Sequence, residues 1–380
     1  MRIEPFELER WMTTYETKVE YDLAESGIQP MSVRELGDRT GQSERIQRLL
    51  EEPLLYSEAC GTIELRRLIA DLYEATTPEN VLVTNGAIEA NFLLFNSLLV
   101  QGDEIVVVDP CYQQLASVPG ALGCDVKLWR LTAENDFRYD LEILKELVSP
   151  RTRMIVVNSP HNPTGSILTQ EELARVYAVA ESVGAWVLSD EAYRWLTLPD
   201  QPECAGPARD LGESGLSVST LSKPFGLPGL RIGWLVAPEE VVRACWAFRD
   251  YTSLSPGYLN DRLAQIVLEH RSTLLDRTYE IASGNLALVE QWIREREGLI
   301  DWVRPRGGLL GLLHYRMDIP SSELANRLAE DASVMLAPGS AFGNEHHLRI
   351  GFGAETSRFR EGLDVAAEYI ERVASERGQS

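Results

Sequence analysis

Through the middle of this 380-residue chain, short β-branched runs alternate with helix-period stretches, and each run stops abruptly at a polar or Gly/Pro residue. The runs are Glu104–Pro110, Arg153–Asn158, Ala185–Asp190 and Leu216–Thr220. Near-continuous apolar character of this kind belongs to strands buried on both faces. Between two of them, Gln170–Val183 carries a helical apolar period, opened by Thr169 as N-cap with a glutamate three residues on. Such alternation predicts an α/β fold: a mostly parallel sheet covered by helices on both faces. We place this large unit at residues 45–260. Ligands of such sheets bind beyond the carboxyl ends of the strands. Polar residues stand at those ends here: Asp109, Asn158, Asp190 and Thr220.

From residue 261 the texture changes. A long helical pattern (Asp261–Arg296) leads to the Gly-rich stretch Arg304–His314, an Ala/Leu-rich helix, a strand near Ser333–Leu336 and the segment Leu348–Phe352. These predict a smaller α/β unit over 261–380, joined by an N-terminal segment, residues 1–44, that also lines the site. There is no internal repeat and no low-complexity linker. The last residues, Glu376–Ser380, are expected to fray.

Charge narrows the partners. Lys plus Arg number 36 and Asp plus Glu 58, a formal net charge of −22. A surface this acidic repels phosphate backbones and anionic membranes, so neither nucleic acid nor membrane is expected as a partner. No apolar run approaches the roughly 18 residues that span a bilayer, and the start, MRIEPFELERW, has no signal-peptide core. Cysteines stand at 60, 111, 124, 204 and 245, an odd count with no CxxC. They read as reduced thiols of a cytoplasmic protein.

The segment richest in chemistry is Ser219–Trp234. A strand ends at Thr220, Lys223 follows, and a Gly/Pro-rich turn leads to Arg231. A lysine on such a turn is partly desolvated, which lowers an amine's pKa and favours a neutral nucleophile able to form a Schiff base. A fixed guanidinium with the Thr220 and Ser222 hydroxyls suits a phosphate. Taken alone, a surface lysine in a glycine-rich loop is an equally good reading. Other chemistries lack their motifs: there is no GxGxxG after a strand, no P-loop, no HExxH and no GxSxG. His346 and His347, beside Glu345, read as a solvated loop, and His161 as a residue that lines or fills a pocket.

Further segments, taken in order with this one, resemble the class I/II aminotransferases among the fold-type I enzymes dependent on pyridoxal 5'-phosphate (PLP). Thr84–Glu89 is similar to the turn that opens a helix beneath the cofactor phosphate. Asn158–Gly165 is similar to the Asn-Pro-Thr-Gly signature, Asp190–Tyr193 to Asp-x-x-Tyr, and Leu348–Phe352 to the C-terminal arginine motif. The resemblance covers about residues 20–370. It implies that Gly86, Ala87, Ile88, Thr220, Ser222 and Arg231 hold the phosphate end. It further implies that Asp190 pairs with the pyridine nitrogen, that Asn162 and Tyr193 reach the ring hydroxyl, and that Tyr112 stacks on the ring. Lys223 would be the Schiff-base lysine and Arg349 the arginine that grips a substrate α-carboxylate. Tyr56 resembles a tyrosine that reaches the phosphate of a neighbouring subunit, which implies a homodimer with shared active sites.

The implied reaction is aminotransferase-like: an external aldimine with an L-α-amino acid, then removal of the Cα proton by Lys223, Tyr193 and Asp190 assisting. The same residues serve β- or γ-elimination and cyclisation, and an inactive PLP-binding protein is a third possibility. The stretch Glu20–Pro30 stands where many members carry a glycine-containing substrate loop, so Gly27 and Ile28 are expected at the substrate. Its Glu-Ser-Gly wording departs from the usual one. With Arg249–Pro256 and Pro305–Gly308 it resembles a specialised-metabolism branch that includes capreomycidine synthase, which points to cyclisation of a hydroxylated arginine in antibiotic biosynthesis as the alternative. Glu16 and Glu25 are candidates to attract a cationic substrate tail, although solvated surface is the stronger expectation for each.

Overall fold

The computed structural model describes residues 2–376; the end of the chain from 377 on, where fraying is expected, lies outside the described residues. Seven strands form the main sheet, in the order Val81–Thr84, Gly233–Val236, Gly215–Thr220, Trp186–Asp190, Thr152–Asn158, Glu104–Asp109 and Asp125–Arg130. All four runs read as strands lie in it, each within a residue of its expected start and end. Their side chains explain why. Val106, Val107, Ile155, Val156, Val187 and Leu188 are fully buried, pressed between helices on both sheet faces. The helix Gln170–Glu181 carries the expected capping box between Thr169 and Glu172.

One strand breaks the parallel rule. Gly233–Val236 runs antiparallel to both neighbours. The connection that precedes it holds only the short 3-10 turn Pro228–Leu230. Without a crossover helix the chain can only double back.

A smaller antiparallel sheet pairs Ala337–Pro338, His347–Gly351, Leu310–Tyr315 and Ile300–Trp302 in that order. Leu286, Val289 and Trp292 of one helix, with Phe359, Leu363 and Ile370 of another, share its core. The long helical pattern is two helices, Tyr258–Glu269 and Arg271–Arg294, parted at His270. The break re-aims the apolar stripe. Leu263, Ile266 and Val267 pack with Val83 and Trp234 of the main sheet, whereas Leu286 and Trp292 pack with Phe352 and Phe359. The expected boundary at 260/261 therefore falls inside the first helix.

The expected strand near Ser333–Leu336 shrinks to Val334–Met335 and pairs in parallel with Tyr21–Asp22. Upstream, the helix Glu7–Tyr15 buries Leu8 and Met12 against Ala329, Met335 and Phe342. The N-terminal residues thus cross from the smaller sheet to the carboxyl ends of the main one.

Candidate active site

At those carboxyl ends lies a cleft of about 400 Å³. Twelve of the residues implied by the resemblance line it: Gly86, Ala87, Ile88, Tyr112, Asn162, Asp190, Tyr193, Thr220, Ser222, Lys223, Arg231 and Arg349. They converge because the main-sheet strands deliver Asp190 and Thr220 at their ends, while His347–Gly351 of the smaller sheet delivers Arg349 from across the cleft.

One end suits an anion. The helix Ala87–Leu98 starts at Gly86 with no side-chain cap, so its first N–H groups stay available. Gly86 has φ +83°, and a Cβ there would sit 2.8 Å from Arg231 Nη2. Arg231 is fixed by donating to the carbonyls of Pro228 (3.1 Å) and Asn85 (3.2 Å). The Thr220 and Ser222 hydroxyls are 3.0 Å apart beside it. Guanidinium, hydroxyls and helix N-terminus together fit a phosphate.

The middle suits a cationic ring nitrogen. Asp190 is buried; Asn91 Nδ2 donates to it at 2.8 Å and the Ala192 N–H at 3.1 Å. Burial raises its pKa, and those two donors only partly restore the carboxylate. A buried carboxylate without a cationic partner is costly, and a protonated pyridine nitrogen would supply that partner. Tyr112 is held beside the cleft by its hydroxyl, which donates to Glu9 at 2.8 Å, and by the Phe6 ring at 4.7 Å. Tyr193 is buried, and burial lifts its phenol pKa, against the pull of Lys223 and Arg349.

The far end suits a carboxylate. Arg349 is buried, and burial depresses its pKa. It donates to Asn162 Oδ1 (3.1 Å) and the Ala24 carbonyl (2.8 Å), while its Nε has no partner. Among the described residues no carboxylate pairs with it, so the salt-bridge reading open to most arginines of an acidic chain does not describe this one. Asn158 links the middle to the far end: its amide donates to the Asp190 carbonyl (2.9 Å) and its Oδ1 accepts the Asn162 N–H (2.8 Å).

Lys223 corrects an expectation. Burial does pull its pKa down, but the Glu25 carboxylate and Tyr193 outweigh burial and leave the amine above its ordinary value. Nζ donates to Ser26 Oγ at 2.7 Å and to Glu25 Oε1 at 3.2 Å. Glu25, expected as a solvated surface acid, is part-exposed but lines the cleft, where Lys223 holds its carboxyl below the usual range. Glu16 lines the rim and is exposed, as expected. Of the predicted loop residues, Gly27 and Ile28 stand behind the wall rather than on it. Ile28 is core, and its N–H donates to the Lys223 carbonyl.

Other placements differ. Tyr56 does not line the cleft of its own chain; it is 87% exposed. His161 fills rather than lines: its Nδ1 meets Thr164 Oγ1 at 2.7 Å, and burial pushes its pKa down to about 3. His347 opens a strand instead of lying in a loop. Residues not singled out from sequence include Asn91, Gln114 and the N-terminal trio Leu8, Glu9 and Met12. Asn91 was findable, since it stands four residues after Ala87 and so shares its helix face. The trio carried no signal, because its contact with the cleft is entirely tertiary.

The sequence profile described as aminotransferase class I and II matches residues 35–370. The chain is 33% identical over 366 residues to capreomycidine synthase of Streptomyces vinaceus, covering 96% of this chain and 93% of that protein. A PLP-dependent aminotransferase from Streptococcus suis superimposes with a TM-score of 0.93 at 33% identity, covering 98% of this chain and 99% of that one. The PLP-dependent cyclase OrfR does so with a TM-score of 0.90 at 34% identity, again covering 98% and 99%.

Proposed function

Because the chain belongs to the aminotransferase class I and II family and its cofactor is pyridoxal phosphate, we propose that it acts on an L-α-amino acid by moving the Cα proton with Lys223. The observation that carries this reading is Arg349: a buried guanidinium without a carboxylate of its own, in one cleft with Lys223 and Asp190. When bound, the cofactor supplies an aldehyde for a primary amine and a ring that withdraws electrons from Cα.

This chain's residues then do the following. Arg231, Ser222, Thr220 and the N–H groups after Gly86 hold the phosphate. Asp190, steadied by Asn91, holds the ring nitrogen protonated. Asn162 and Tyr193 flank the ring, and Tyr112 covers one face. Arg349 grips the α-carboxylate and so orients the Cα–H bond toward Lys223, which takes the proton. Glu9 and Glu16 face the remaining space, so a cationic side chain suits it.

Our first reading is transamination. Elimination or cyclisation of an amino acid such as a hydroxylated arginine is the second, favoured by the likeness to capreomycidine synthase and to the cyclase, and by the Glu25–Ser26 pair on the lysine. An inactive binding protein is the poorest reading, since Lys223, Asp190, Asn162, Tyr193, Arg231 and Arg349 all meet in one cleft. We place the division of the chain at His270, between the two helices, with residues 1–44 bridging both parts. Among the described residues no helix is long and apolar enough to cross a membrane, and a cytoplasmic setting is proposed. Incubation with basic and neutral amino acids, with and without 2-oxoglutarate, tests the reading. A keto acid formed only with the acceptor means transamination. Ammonia or a dehydrated product without it means the second reading, and no turnover in any mixture defeats both.

A further inference from the structure

The substrate loop whose Glu-Ser-Gly wording departs from the family places two polar groups on the reactive amine. Ser26 Oγ lies 2.7 Å and Glu25 Oε1 3.2 Å from Lys223 Nζ. The same Glu25 oxygen accepts the Gly27 N–H at 2.7 Å, so the loop itself holds the carboxylate in place. The loop cannot retreat. The Gly351 N–H donates to the Leu23 carbonyl (2.8 Å) and the Gln29 N–H to the Gly353 carbonyl (2.6 Å). A Cβ on Gly351 would lie 1.9 Å from the Glu25 carbonyl oxygen, and one on Gly353 2.0 Å from that of Gly27. Exposed ion pairs contribute little because their side chains wander and water screens them. Here the Lys223 and Glu25 side chains are 26% and 43% exposed to the cleft, but the loop is tied down on both sides and holds the carboxylate on the nitrogen that must gain and lose a proton. The other charged or titratable groups facing the pair are Tyr193, Arg349 and Asp22.

We propose that Glu25 is a further catalytic residue of this cleft: its carboxylate is the counter-ion that stabilises Lys223 as the ammonium whenever the lysine carries a proton, with Ser26 holding the amine in line. The inference rests on reading the cleft as a PLP site. The proton balance is simple. The Cα–H bond breaks, its electron pair stays with the carbon, and an N–H bond forms on Lys223. Glu25 takes no proton; it compensates the charge that appears on nitrogen. The proton then stays on Lys223 long enough to be returned to the substrate or passed to a departing group. A base of this kind serves all the reactions named above, and it most helps those in which a second group must leave protonated.

The experiment compares the parent with Glu25→Gln and Glu25→Asp. In cofactor-free protein, acylation of Lys223 by an amine reagent is followed against pH by peptide mass analysis. Glu25→Gln should lower the midpoint by about one unit or more, and Glu25→Asp should restore most of it. With cofactor bound, Glu25→Gln should lower kcat about tenfold or more with KM less affected. Thermal melts identify any variant that has simply unfolded, and Glu25→Asp then carries the test. Equal midpoints in parent and Glu25→Gln overturn the proposal, even while borohydride still traps cofactor on Lys223 and so upholds the functional reading. A parent that traps no cofactor at Lys223 overturns the functional reading, and the catalytic meaning of the pair with it.

Discussion

Two side chains set the grip of the cleft on its ligands, and each is testable alone. Arg349 is a buried, preorganised guanidinium that, in the proposed function, receives the substrate carboxylate. Arg349→Ala should lower kcat/KM by about a hundredfold or more, because charge-assisted contacts in desolvated sites carry several kcal/mol. Arg349→Lys should recover only part of that, since an ammonium cannot reproduce the fork that meets Asn162 and Ala24 together. Steady-state kinetics on one amino acid checks both. Asn91 acts through Asp190. Asn91→Leu keeps the branched outline, at a larger volume, but removes the 2.8 Å donor, so it should weaken cofactor binding about tenfold, as expected for a hydrogen bond to a charged acceptor. Titration of cofactor-free protein by absorbance measures it; unchanged affinity would remove Asn91 from the site.

Elements matter through what they tie together. Glu104 begins the strand next to one edge of the main sheet, with a fully buried carboxylate that bridges both neighbouring strands. It accepts from Thr152 Oγ1 (2.5 Å) and Ser149 Oγ (2.8 Å) and pairs with Lys127 at 2.8 Å. Burial alone would raise its pKa, but the Lys127, Thr152 and Ser149 partners prevail and bring it down to about 2. A depressed carboxyl contributes stability that is fully present above its unfolded pKa and is lost as pH falls through the folded value. Glu104→Gln should therefore destabilise by on the order of 3 kcal/mol at neutral pH. It should also flatten the loss of stability between roughly pH 4.5 and pH 2. Denaturant melts at several pH values test this. The same strands show what the sequence made legible. A β-branched run ending in Asp or Asn specifies both its burial and the polar group at its tip. The antiparallel Gly233–Val236 was not legible, because its direction depends on the lack of a crossover helix before it. The broken helix at His270 was not legible either: its apolar stripe runs on while the core it faces changes.

At the scale of the whole molecule, an apolar surface stands beside the phosphate end. Leu54 (75%), Tyr56 (87%) and Tyr251 (92%) are exposed there. Arg249 donates to the Ala59 carbonyl and Tyr258 to Glu52, binding the two segments into one patch. Ser253 in turn bonds Glu89, in the first turn of the helix that follows Gly86. We propose that this face pairs with a second copy and that Tyr56 serves the partner's site. Leu54→Glu with Tyr251→Glu should give a monomer with weakened cofactor retention, read by sedimentation and absorbance. A dimer that survives the change would place the interface elsewhere.

Sequence alone determined the mostly parallel sheet and the polar tips of its strands, which local periodicity carries through covalent neighbourhood, and the resemblance of its short motifs to the family pointed to twelve residues that line the cleft. Tertiary structure decided the rest. It set Glu25 against Lys223 across 198 positions of chain, reversed the expected shift of that amine, gave Asp190 its Asn91 donor and brought the N-terminal helix over the cleft. Such pairings arise from packing between segments distant in sequence, and no local pattern records which distant group will be the neighbour.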